Sequence, residues 1–202
     1  MISVYADNFE ISGTTRDTIT GKIHPTIFTT VDRSNKGAKR TYGPMPTKKG
    51  AKVTIEAGRY VLTGNPSGNI YIYDKDDNLL VREIVGDKAG VPTLTADIDS
   101  TFSIVFDGGY NTVTIQPVKT ELSTELTTGI WDVGLDIEPG DYTISIPAGY
   151  GFVQILEEDK DPRLFELMAG GLTNSKSLVQ LKEGQKVRVS KVAVVYFEPV
   201  SE

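Results

Sequence analysis

The 202-residue chain contains no cysteine and only one histidine, His24. Without thiols there can be no disulfide framework, thiolate metal site or cysteine nucleophile, so stability has to come from packing. The first twenty residues contain no apolar run; Asp7, Glu10, Arg16 and Asp17 interrupt them. That composition leads us to expect neither an export signal nor a transmembrane span, and therefore synthesis in a host cytoplasm. A Gly-x-Ser-x-Gly elbow and a glycine-rich phosphate loop are also missing, and any histidine-based triad would have to be built at His24, which Pro25 follows. The expectation is a protein that is not an enzyme, with no catalytic residues, no cofactor and no metal. Asp132 and Asp136 could in principle serve as paired carboxylates for glycoside hydrolysis, but closeness in sequence alone makes them solvated strand or turn residues.

What is present is an ordinary globular composition, 39% hydrophobic and 24% charged, and that argues against disorder. Twenty glycines and ten prolines call for many turns. Charge is unevenly placed. Arg33, Lys36, Lys39, Arg40, Lys48, Lys49 and Lys52 form a basic stretch with no acidic residue among them, although the chain carries a net charge of -6. A basic segment ahead of an acidic body suits docking on an acidic surface: a neighbouring subunit first, nucleic acid a distant second. The competing reading is a solvated loop.

An internal repeat organises the chain. Ile55-Glu56-Ala57-Gly58-Arg59-Tyr60 aligns with Ile137-Glu138-Pro139-Gly140-Asp141-Tyr142 at an offset of 82, and Ile115-Gln116-Pro117-Val118 aligns with Phe197-Glu198-Pro199-Val200 at the same offset. Two separated matches at one offset indicate a duplicated module. Each copy reads as short β-branched or aromatic runs bounded by Gly and Pro: Tyr60 to Leu62, Ile70 to Tyr73, Phe102 to Phe106 and Thr112 to Ile115 in the first, Tyr142 to Ile144, Phe152 to Leu156, Leu178 to Leu181, Val187 to Val189 and Val192 to Phe197 in the second. Arg163 to Ala169 is the one stretch that reads as a helical turn. The pattern predicts an all-β fold of two tandem small β-sandwich or barrel modules preceded by an extended N-terminal arm. The boundaries are 1–48 for arm and linker, 49–119 for the first module, 120–128 for a linker and 129–202 for the second module. In the arm, Ile2 and Val4, Phe9 and Ile11, then Ile19, Ile23 and Ile27 read as extended segments able to add a strand to the body or to a neighbour.

Two further motifs carry a choice of chemistry. The run Asp74-Lys75-Asp76-Asp77-Asn78 invites a calcium reading, but a helix-loop-helix calcium site needs glycine at its sixth position and glutamate at its twelfth, where Leu79 and Val85 stand. A polar hairpin tip is the better reading. Trp131, Tyr71, Tyr73 and Tyr150 are candidate glycan contacts, because aromatic faces pack on apolar sugar faces; against this, a lone tryptophan at a strand start is more often a core residue.

Residues Gly129-Ile130-Trp131-Asp132-Val133-Gly134-Leu135-Asp136-Ile137-Glu138-Pro139-Gly140-Asp141-Tyr142, with the later Leu181-Lys182-Glu183-Gly184 turn, resemble a repeat module of Gram-positive surface proteins and of phages of those bacteria. The match covers residues 129 to 200 and, more weakly, 49 to 118, where the tryptophan and the Val-Gly step are missing. The resemblance implies a sandwich-like binding or spacer unit and transfers no active site. The expected function is that of a phage virion structural protein, a capsid decoration or tail component. Its arm would anchor to virion proteins or to other copies of itself in a homo-oligomer, with no membrane partner. The alternative is a carbohydrate or host-surface binding module.

Overall fold

The computed structural model describes residues 10–11, 13–20, 23–44, 50–169 and 176–200. The fold is all-β. In chain order the strands are β1 (Glu10–Ile11), β2 (Thr41–Tyr42), β3 (Ala51–Val53), β4 (Gly58–Asn65), β5 (Ser67–Tyr73), β6 (Leu79–Gly86), β7 (Leu94–Ile98), β8 (Ser103–Gly108), β9 (Thr112–Pro117), β10 (Glu125–Asp132), β11 (Gly140–Ser145), β12 (Tyr150–Leu156), β13 (Arg163–Met168), β14 (Ser177–Leu181) and β15 (Lys186–Pro199). Helix α1 (Gly13–Thr20) and a 3-10 turn at Pro25–Phe28 complete the set among the described residues. The chain divides into two compact units. The upstream unit is His24–Thr120; the downstream unit combines Glu121–Glu202 with Met1–Ile23.

In the upstream unit one sheet runs β7-β4-β9-β2 and the other β3-β8-β5-β6. Strand side chains alternate between faces, so every second residue points to the core. Tyr60 and Leu62, Leu94, Ala96 and Ile98, and Val113 and Ile115 point inward from the first sheet, against Ile70, Ile72, Ile104 and Phe106 from the second, and all are buried. Fully burying an aliphatic side chain of this size contributes about 1.5–3 kcal/mol, so this double layer is the main source of the unit's stability.

The downstream unit repeats the plan. β14 pairs with β11 and β11 with the end of β15, while β13 pairs with β12 and β12 with the start of β15. Its buried cluster includes Tyr142, Ile144, Val153, Ile155, Phe165, Val187, Val195 and Phe197. The upstream unit passes from one sheet to the other through Gly108, at φ 91°, between two separate strands; the downstream unit makes the same passage within β15, where Lys191 has φ 61°. Strands that change sheets need such a bend.

The two units share one register at the matched segments. Tyr60 opposes Pro117 and Leu62 opposes Ile115; Tyr142 opposes Pro199 and Ile144 opposes Phe197, the same pairs 82 residues on. Val118 N–H donates to Arg59 C=O at 2.9 Å, as Val200 N–H does to Asp141 C=O at 2.9 Å. The Tyr60 hydroxyl donates to Glu56 C=O at 2.7 Å and the Tyr142 hydroxyl to Glu138 C=O at 2.9 Å. Both phenols titrate above the ordinary tyrosine range, first because of burial and second because of the neighbouring Glu56 or Glu138 carboxylate.

The elements differ from the sequence expectation in four places. Arg163–Met168 is strand β13, not a helical turn: Leu164, Phe165 and Leu167 are buried and the ladder to β12 overrides the helix propensity of Leu, Glu and Met. Gly13–Thr20, read as extended, is helical. β10 starts at Glu125, inside the stretch read as a linker. The segment 24–44, read as arm, lies in the upstream unit, where β2 pairs with β9. Together β2 and β3 occupy the place that unbroken β10 holds downstream, since β10 pairs with both parts of β15. Gly43 and Pro44 separate the two short strands, and proline has no N–H to give to a ladder, so the sequence there reads as a linker.

Replacing either corner tyrosine by phenylalanine should remove one hydrogen bond and leave the packing intact. Tyr60→Phe and Tyr142→Phe are each expected to cost about 1 kcal/mol in urea unfolding, with equal effects in the two units.

Candidate functional site

The basic residues assigned to partner docking separate by environment. Arg33 is committed within the upstream unit: its Nε and Nη2 donate to Asp97 Oδ2 at 3.0 and 2.6 Å. The other oxygen of Asp97 accepts from Arg59 Nη1 at 3.0 Å, and Arg59 is only 1% exposed. Between these two arginines Asn35, at φ 54°, accepts from Arg59 N–H at 3.0 Å and donates to Val118 C=O at 2.9 Å. Gly58 is required beneath it, because a Cβ there would come within 2.6 Å of the Asn35 side-chain oxygen. Arg33 and Asn35 thus clasp the glycine–tyrosine corner. Lys36 and Lys39 are exposed, and Arg40 lies 5.5 Å from the Tyr42 ring centre. Lys48 and Lys49 lie outside the described residues.

The acidic run forms the turn between β5 and β6, held by Asp74. Its carboxylate accepts from Asp76 N–H and Asn78 N–H, both at 2.9 Å, from the Asn78 amide, and from Thr26 Oγ1 at 2.8 Å. Burial pushes this carboxyl upward, but the hydrogen bonds from Asn78, Thr26 and Asp76 outweigh it and hold Asp74 well below the usual carboxylate range. His24 sits at the same point: Nδ1 lies 3.4 Å from Asp74 and 2.8 Å from Thr26 Oγ1, and caps the 3-10 turn. With Nδ1 engaged at the cap and beside Asp74, the imidazole serves the fold. Among the described residues no three His, Cys, Asp or Glu side chains are grouped to hold a metal ion. Asp136 is buried and accepts from Asp132 N–H at 2.7 Å, while Asp132 pairs with Lys186, so these two carboxylates build the turn ahead of β11.

The candidate glycan contacts do not behave as one group. Tyr71 and Tyr73 leave β5 on the same outward face with ring centres 6.2 Å apart and planes at 21°. Arg82, the cross-strand partner of Tyr71, reaches over its ring at 5.6 Å. Lys52 opposes Val105, which in turn opposes Tyr71, so Lys52, Val105, Tyr71 and Arg82 form one row across that face. Trp131 and Tyr150 belong to the downstream unit. The indole packs against its core and donates to Thr127 C=O at 2.8 Å, whereas Tyr150 is 47% exposed and meets Phe152 edge-on. An open strip of paired tyrosines flanked by cations can stack a planar or ring-shaped ligand.

Sequence reasoning missed a second polar feature of the upstream unit. Thr63, Asn65, Asp87, Thr112 and Thr114 line a groove of about 310 Å³ together with Gly64, Gly86 and Pro92. Its residues come from β4, β9, the end of β6 and the chain after it. The one available signal was Thr112-Val113-Thr114-Ile115, where alternation marks the threonines as the outward face.

No family model, curated protein or solved structure matches the chain.

Two outcomes test these anchors. Asp97→Ala leaves Arg59 buried with its carboxylate partner removed, and is expected to destabilise the upstream unit by about 3 kcal/mol in urea unfolding. Asp74 has a folded pKa below its unfolded one, so its contribution is complete above about pH 4 and is lost as pH falls toward the depressed value. The Tm difference between wild type and Asp74→Asn should therefore be constant near neutrality and shrink below about pH 4 in a pH-resolved melting series.

Proposed function

We propose that this chain is a binding and assembly protein of a phage particle, a capsid decoration or tail component that displays two β-sandwich units and engages its neighbours through its N-terminal residues. What supports this reading is how the segment before residue 24 is used. β1 adds to the outer edge of β13, with Glu10 opposite Phe165 and Ile11 opposite Leu164. Arg163 grips the Glu10 carboxylate with Nε and Nη2, each at 2.9 Å, and Arg16 reaches Asp161 at 3.3 Å. Edge-strand addition of this kind uses backbone groups and a few charges, so the β13 edge of another copy can receive the same segment. Segment exchange between identical subunits is a low-cost route to a homo-oligomer. The resemblance of residues 129 to 142 to modules of phages and Gram-positive surfaces points the same way.

Residues 24–44 pack within the upstream unit, so the segment to remove is 1–23. Particles assembled with a chain lacking residues 1–23 should lose the protein on density-gradient purification, whereas full incorporation of the shortened chain would end the proposal.

A second reading, attachment to a host-surface glycan, is favoured by the open Tyr71–Tyr73 strip. Its test is combined with the one below.

A further inference from the structure

We infer that the upstream unit carries a neutral-saccharide site in the threonine groove, away from the Tyr71–Tyr73 strip. The inference takes its ligand class from the second reading above and assigns a different place. The groove has the shape for a small ligand: about 310 Å³, at the lower end of the roughly 300–1,000 Å³ typical of such sites. Gly64 and Gly86 line it without side chains. A Cβ on Gly64 would come within 2.1 Å of the Tyr110 ring, and one on Gly86 within 2.2 Å of Pro66 C=O, so no side chain can replace either hydrogen without displacing its neighbours. Tyr110 is fixed below by its hydroxyl, which lies 2.7 Å from Gly68 C=O and 2.8 Å from Val85 C=O. Burial raises that phenol to about 12, so at neutral pH it is an uncharged support.

The lining selects the chemistry. Asn65 Nδ2 donates to Asp87 Oδ2 at 3.0 Å, which holds an amide and a carboxylate side by side at the rim. Between them they keep free acceptor sites and an N–H donor, the complement of a pair of adjacent sugar hydroxyls. Thr63, Thr112 and Thr114 add hydroxyls that donate or accept as required, with methyl groups beside them. Thr63 opposes Thr114 and Asn65 opposes Thr112, so all four lie on the outward face of one strand pair. Thr114 in turn opposes Tyr42 across β9 and β2, placing the tyrosine on the same face, and Tyr42 is 61% exposed. The Arg40 guanidinium over the Tyr42 ring steadies it as a platform for the apolar face of a sugar.

Charge disfavours the competing ligands. None of the eight lining residues is Lys or Arg and one is a carboxylate, so the groove itself presents no cation to a phosphate, sulfate or nucleic-acid backbone; the one guanidinium nearby, Arg40, is stacked over Tyr42. The Lys88 ammonium lies 3.9 Å from the Asp87 carboxylate with both side chains exposed, so it offsets part of that charge through solvent and adds no cation to the lining. A row of hydroxyls beside an amide and a carboxylate, with no lining cation, suits an uncharged polyol.

The test uses the full chain and a panel of neutral oligosaccharides built on glucose, galactose, rhamnose and N-acetylhexosamines, with sialylated and phosphorylated counterparts. Binding is read by saturation-transfer NMR and titration calorimetry. At least one neutral oligosaccharide should bind, with affinity falling about tenfold or more in Asp87→Ala, in Tyr42→Ala and in the near-isosteric Thr114→Val, and unchanged in the Tyr71→Ala/Tyr73→Ala double variant. Unchanged circular dichroism and Tm establish that the substituted proteins are folded. If affinity is lost only in the tyrosine double variant, the groove is overturned and the glycan reading survives at the sheet face. If no neutral oligosaccharide binds at millimolar concentration, both fall. Preference for the anionic counterparts overturns the groove as well.

Discussion

Each unit depends on one strand pair, the pair that opens at the glycine–tyrosine corner. The tyrosine enters the core while its hydroxyl returns to the carbonyl four residues earlier, so a buried phenol and a strand entry angle are settled by one hydrogen bond. A one-residue slip would send Tyr60 and Leu62, or Tyr142 and Ile144, to the outside face, and burial on one side makes that expensive. The closing strand is locked to this entry strand by the bond from Val118 or Val200, which sets where the last strand must end. The remaining strands can vary in length, break or merge because these two are fixed.

The corner also explains why the copies treat their surroundings differently. Upstream it carries Arg59, a cation 1% exposed, which is tolerable only with a carboxylate partner and further hydrogen bonds. Asp97 supplies the charge, and Arg33 and Asn35 complete the shell from a segment more than twenty residues earlier. Downstream the equivalent residue is Asp141, which is exposed and needs no such shell. Around this repeat position the upstream unit has a carboxylate, Asp97, shared by Arg59 and Arg33, while Asn35 holds main-chain groups of the corner. That sharing turns part of the basic stretch from a docking surface into a structural clasp.

What the sequence made legible follows from range. The two segments that match at an offset of 82 are the corner and the closing strand, where register leaves little freedom. The strands at Ile70, Phe102, Thr112, Leu178 and Val187 showed themselves through local alternation. The misread stretches are those where distant partners override local preference: Arg163–Met168 becomes a strand only because β12 lies beside it, and Thr41–Tyr42 becomes one only because β9 does. Tyr71 and Tyr73 were legible as a pair, since residues two apart share a strand face, while Trp131 and Tyr150 were grouped with them only by residue type. The groove was illegible because Asn65, Asp87 and Thr112 meet through pairing between strands far apart in sequence.

Comparing the two copies position by position shows where they have been free to diverge. On the shared strand pair the inward residues stay apolar: Leu62 and Ile144, Val113 and Val195, Ile115 and Phe197. Three of the four outward residues change their chemistry. Thr63 keeps its hydroxyl as Ser145, but Asn65 becomes Pro147, Thr112 becomes Val194 and Thr114 becomes Tyr196, and Glu125 opposes Tyr196 where Tyr42 opposes Thr114. Core packing constrains the first set in both units alike, because each inward side chain fills space against the opposite sheet. Nothing in the fold requires the second set to be a row of hydroxyls beside an amide–carboxylate pair, and the downstream unit is built without it. A polar constellation present in one of two units built on the same strand pair, on a face that core packing leaves free, is therefore a property of that surface and of whatever it meets.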